Sequence, residues 1–176
     1  QSSASSKWVR NAAGTYVEIA AGVPALHNHP THGWGLLVEP AATNLQVQSQ
    51  EFDDGAWTAT NVSVDDQAAI APDGATTADT LTDDSTNAQH VVSDAITLAT
   101  NTDAAFSVFA KAGTHNFVVI QYEGGTTEEH ITAVFDLSAG VGDGEATDTD
   151  VGTSSGTIAS TSIIDAGNGW YRCSLV

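Results

Sequence analysis

Positive charge is what this sequence has least of. Four Lys and Arg side chains stand against 22 Asp and Glu, a formal net charge of −18, and between Arg10 and Arg172 the only strongly basic residue is Lys111. Nothing in the chain can neutralise a row of phosphates or dock on an anionic lipid surface, which excludes nucleic-acid and polybasic membrane binding. A single cysteine, Cys173, allows no intrachain disulfide and no four-cysteine zinc site, and leaves the redox compartment open. No apolar run approaches the length that spans a bilayer, so membrane insertion is not expected. Methionine is absent, no basic segment leads into an apolar one as in a secretory leader, and a strand-like pattern continues to Val176. The chain therefore reads as a piece of a longer protein.

What is present is enough for a core. Hydrophobic residues make up 41% of the 176, an ordinary share for a globular domain, so one folded body is expected despite the charge. The carboxylates are spread over turns and alternating positions rather than gathered in a tail. Such an envelope repels itself in dilute buffer and is screened near 1 M salt, where the Debye length is about 3 Å, so the composition suits a salt-loving host.

Short apolar stretches alternate with Gly, Asp, Asn, Thr and Ser turns, the pattern of an all-β sandwich, and no helix is evident. Strands are expected at Thr15–Ile19, Trp34–Glu39, Leu45–Gln48, Trp57–Val64, Ala68–Ala71, Ala78–Thr82, His90–Leu98, Ala104–Ala112, Phe117–Tyr122, Ile131–Leu137, Ser160–Ile164 and Trp170–Val176. The β-branched and aromatic density of 106–111 and 116–122 marks two central strands. Residues 140–157 hold five glycines and almost no bulky side chain, and are expected as a long exposed loop. Residues 1–33 read as an extended N-terminal arm, and 34–176 as the sandwich.

Several segments share an order and spacing: Gly35-Leu36-Leu37-Val38-Glu39-Pro40-Ala41-Ala42-Thr43-Asn44-Leu45, Ser49-Gln50-Glu51-Phe52, Ala56-Trp57-Thr58, Ala71-Pro72-Asp73-Gly74-Ala75-Thr76-Thr77-Ala78-Asp79, Phe106-Ser107-Val108-Phe109-Ala110-Lys111-Ala112-Gly113, Phe135-Asp136-Leu137 and Asp165-Ala166-Gly167-Asn168-Gly169-Trp170-Tyr171-Arg172-Cys173. From about Tyr16 onward the chain thereby resembles the jelly-roll module common in tail-fibre and other virion proteins of tailed phages, which is similar in fold to carbohydrate-binding modules. Ala42 stands where that family usually has Arg, and the chain stops where the family has further strands, implying truncated C-terminal strands. The resemblance implies a jelly-roll β-sandwich without enzymatic activity, a homo-oligomer, expected to be a trimer, placed on a virion tail or capsid surface beside other virion proteins. Its function would be to engage a host surface glycan or glycoprotein. A purely architectural virion module, such as a capsid decoration or baseplate connector, and the binding module of a secreted polysaccharide-degrading enzyme are the alternatives.

Read residue by residue, most motifs are structural. In Ala71-Pro72-Asp73-Gly74, Pro72 presets φ, Asp73 can bond its own backbone and Gly74 accepts positive φ. Asn168-Gly169 is a hairpin turn, after which Tyr171, Cys173 and Leu175 share one face, making Cys173 a small core residue. Trp57 and Trp170 read as core plugs rather than sugar platforms. Gly152-Thr153-Ser154-Ser155-Gly156 matches the serine-hydrolase elbow, but lacks the strand before and helix after that the chemistry needs.

Candidate ligand-binding residues are Trp34, Tyr122 and His115, rings that could stack on a sugar. His27, His29 and His32 form the sharpest cluster: His27 and His29 fall on one side of an extended segment and could meet one transition metal, six imidazoles gathering at a threefold axis. The bland counterpart is a polar loop with scattered histidines. Asp143, Glu145, Asp148 and Asp150 offer hard oxygens for Ca²⁺, against the reading of a solvated acidic loop. Asn61-Val62-Ser63 is an N-glycosylation sequon, which the resemblance implies is a chance occurrence within a strand.

Overall fold

The computed structural model describes residues 7–20, 23–29, 31–36, 44–98, 103–123, 130–138, 146–151 and 158–176. These residues form fourteen strands and no helix, an all-β fold. Contacts divide the chain into two compact units, Gln1–Ala99 and Thr100–Val176.

The first unit is built from antiparallel pairs. β1 (Lys7–Arg10) pairs with β2 (Tyr16–Ile19), and β3 (Leu26–His29) with β4 (Gly33–Leu36), so residues 1–33, read from sequence as an arm, contain strands. The hairpins meet where the Arg10 amide donates to His27 Nδ1 at 3.2 Å, beside buried Val9, Tyr16 and Ala25. β5 (Thr58–Thr60) pairs with β8 (Val91–Ser93), and β6 (Val62–Ile70) with β7 (Thr76–Asp83). Asn61, at φ 54, breaks the expected strand Trp57–Val64 into β5 and the start of β6. Between β6 and β7 the chain turns as its residues dictate. The Ala75 amide donates to Asp73 Oδ1 at 2.9 Å, the Gly74 amide to the Ala71 carbonyl at 3.0 Å, and Gly74 sits at φ 92.

Leu45–Gln48, expected as a strand, is irregular. Asn44 Oδ1 accepts the Gln46 amide and the Trp57 indole N–H donates to the Gln48 carbonyl, so side chains satisfy backbone groups that a ladder would otherwise use. Trp57 is accordingly half-buried, tilted against Phe52, whereas Trp170 is buried.

The second unit is a small sandwich. One sheet has the order β10 (Phe117–Glu123), β11 (His130–Asp136), β12 (Ala146–Val151); the other has β13 (Thr161–Gly167), β14 (Trp170–Leu175), β9 (Phe106–Lys111), all antiparallel. Inward residues alternate along the strands: Ala133 and Phe135 on β11 meet Tyr171, Cys173 and Leu175 on β14, flanked by Val108, Ala110, Val118, Ile120 and Ile163. Phe135 and Cys173 are 0% exposed. β14, the expected Trp170–Val176 strand, is the middle of its sheet, with the expected face buried.

β12 corrects the expectation of a loop over 140–157. Its Cα partners run from Ala146 opposite Phe135 to Val151 opposite His130. Thr147 and Thr149 favour extended backbone, and an edge strand can be polar, because its ladder to β11 needs only backbone groups.

Candidate functional site

The structure assembles one acidic site that no sequence motif announces. Asp53 lies in the turn before β5, Asp66 in β6 and Asp79 in β7. Gln67 adopts φ 49 where the β6–β7 register shifts, and its amide donates to Asp79 Oδ1 at 3.0 Å. The Phe52 amide donates to Asp79 Oδ2 at 2.8 Å. These two bonds draw turn, bulge and β7 together, and one oxygen of each of Asp53, Asp66 and Asp79 comes within 4.8 Å of the others.

At such a spacing two carboxylates repel by roughly 1 kcal/mol in water and several times more near a protein surface. Oxygens this far apart fit around one Ca²⁺, whose ligands lie at about 2.4 Å, and three carboxylates offer up to about six of its six to eight ligand atoms. Asp53 and Asp66 are exposed and Asp79 half-buried, an arrangement also found in plain acidic surfaces. Asp79 has a structural role regardless, because it accepts two backbone amides. Phe52 and Asp79 each close a motif quoted above. Nothing in the sequence paired them; the contact is made only in the folded chain.

Of the expected metal ligands, Asp143 and Glu145 lie outside the described residues. Asp148 and Asp150 are in β12, opposite Ala133 and Ile131, in a strand rather than a loop. His27 and His29 are in β3, opposite Gly35 and Gly33, and His32 is exposed in the turn to β4. The bond from the Arg10 amide occupies the Nδ1 lone pair of His27 and leaves the ring proton on Nε2, so in this arrangement His27 offers a metal neither nitrogen.

The candidate stacking rings fall in different units. Trp34 belongs to the first unit, in β4 opposite Asn28, and is 58% exposed. Tyr122 and His115 belong to the second unit. Tyr122 is half-buried at the far end of β10 and stacks on Phe106, with ring centroids 5.6 Å apart. His115 is exposed in the turn before β10, separated from Tyr122 by nearly the length of a strand that rises roughly 3.3 Å per residue.

β12 ends at Val151, directly before Gly152, so the strand expected to be missing before the serine-hydrolase pattern is present. Gly152–Gly156 lies outside the described residues. Burial pushes the Cys173 thiol up to about 11, so at neutral pH it carries no appreciable thiolate. A scan against models of protein families finds no match, and a search of curated proteins finds none.

Proposed function

We propose that this chain is a non-enzymatic module of a tailed-virus particle, a tail-fibre or surface-fibre domain that engages glycans on the surface of a salt-loving host. One observation carries the reading: three of the seven segments that resemble the virion jelly-roll modules build the second unit's core. Phe106–Lys111 is β9, Phe135-Asp136-Leu137 ends β11, and Asp165–Cys173 spans the β13–β14 turn. Their Val108, Ala110, Phe135, Leu137, Tyr171 and Cys173 meet in one cluster. In these three segments the likeness rests on scaffold positions, as it should in a module that keeps a frame and varies what it displays. Assignment of that frame to a jelly roll, and of the chain to a trimer, rests on the same likeness.

Exposed rings are few among the described residues, so a single site binds weakly and repetition on a particle supplies the strength. Linked sites act at about millimolar effective concentration and gain roughly 10²–10⁴ in avidity. With a net charge of −18 the fitting ligand is neutral, or an acidic layer bridged by cations, since like charges in contact are unfavourable. The test compares a multimerised form with the monomer on host cells and a glycan array in molar salt. The multimer is expected to bind and the monomer to bind feebly. Binding by neither, with particle assembly lost on deletion, would establish the architectural alternative instead.

A further inference from the structure

We propose that Asn61 is an N-glycosylation site. The chain has eight asparagines, and only Asn61-Val62-Ser63 carries the Asn-X-Ser/Thr pattern. In a continuous strand the backbone of residue 61 would be held in a ladder. Instead Asn61 stands between β5 and β6 in the left-handed region, at φ 54, which Asn tolerates better than most residues. The sequon thus lies at a break in the strand, on the rim of an open hollow of about 390 Å³ lined by Asn61, Val62, Ser63, Thr82, Asp83 and Asp84. That is room for a pyranose ring, and the lining carboxylates are acceptors for its hydroxyl groups.

The bonds at the sequon are compatible with the modification. Asn61 Nδ2 donates to the Gln89 carbonyl at 2.8 Å, which uses one of its two N–H groups. In the transfer, Nδ2 forms a bond to the anomeric carbon of a lipid-linked phospho-oligosaccharide. The bond from that carbon to the phosphate oxygen breaks, its electron pair leaves with the lipid phosphate, and the displaced N–H proton passes to a base of the transferase. The second N–H remains to donate to Gln89. The Ser63 hydroxyl reaches the Thr82 carbonyl only at 3.4 Å, beyond a well-formed O–H···O bond, so it is loosely held and can take part in recognition.

The experiment is peptide mass spectrometry on the full chain made in the cells that produce it naturally. The Asn61 peptide is expected to carry whole-sugar mass increments, removed by amidase treatment with Asn61→Asp conversion. Ser63→Ala should abolish the modification and Ser63→Thr should retain it, and both keep the Asn61 carboxamide in place, so a folding defect of Asn61→Gln does not obscure the result. An Asn61 peptide found only unmodified, while another sequon protein from the same cells is occupied, overturns the proposal. Persistence of the sugars in Ser63→Ala overturns it equally.

Discussion

At Asp84 three donors converge on one carboxylate oxygen: the Thr86 hydroxyl at 2.5 Å, the Thr86 amide at 2.9 Å and His90 Nε2 at 3.1 Å. Asp136 is held likewise by the Ser138 hydroxyl at 2.6 Å and its amide at 2.8 Å. Both carboxyls are held below the ordinary value of 3.8, first by the hydroxyl and then by the amide, because these bonds favour the charged form. Unfolding removes the bonds and returns each group to its ordinary value. The stabilisation is therefore complete above 3.8 and is lost as pH falls through the lowered folded values. Carboxyl-carbon NMR should show both groups titrating below 3.8, with Thr86→Val moving Asp84 back up and Ser138→Ala moving Asp136. Ordinary titration in the native protein would contradict this reading.

Among the elements, the β13–β14 hairpin is the one whose local chemistry is most exacting. Asn168 at φ 55 and Gly169 at φ 80 make a two-residue loop between Gly167 and Trp170, the turn whose twist matches that of the strands. This turn sets the register of β13 against β14, the middle strand of its sheet. Gly169→Ala should cost about 1 kcal/mol or more in a urea melt, because it forces a Cβ into the left-handed region. Asn168→Gly should stay within about 0.5 kcal/mol, since Gly accepts the same φ. Equal effects of the two changes would show that the turn does not govern the hairpin. Polarity misled at β12, because an edge strand of Thr and Asp has the composition of a loop. Short β1 and β3 carried too few residues for a period to show.

Over the whole molecule the dominant quantity is the charge of −18, and its effect does not depend on any single contact. Exposed carboxylates repel over a Debye length of about 10 Å in 0.1 M salt and about 3 Å in 1 M. Thermal midpoints should rise steadily from low to molar salt, and a flat or falling series would overturn the salt-adapted reading. Asp53, Asp66 and Asp79 concentrate that repulsion, because two backbone bonds to Asp79 hold the three carboxylates close. Asp66→Asn should therefore raise the midpoint most in dilute buffer and least in molar salt.

The sequence by itself determined what depends on neighbours along the chain. The Pro72-Asp73-Gly74 turn, the Asn168-Gly169 hairpin, the existence of strands β9 and β10 and the buried face of Tyr171, Cys173 and Leu175 all follow from φ preference and a period of two, which act within a few residues. The central place expected for β9 and β10 is instead taken by β14 and β11. Only the tertiary structure decided what depends on residues far apart. The edge of β11 turned a polar segment into β12, the Arg10 amide set the tautomer of His27, and a bulge at Gln67 brought three distant aspartates together. It also broke the strand at Asn61, where the Asp84 amide donates to the Asn61 carbonyl at 3.0 Å and the Asn61 carboxamide reaches Gln89. Each of these is a hydrogen bond or a charge meeting whose partner the local pattern does not contain, and a partner across space is what chain order alone leaves open.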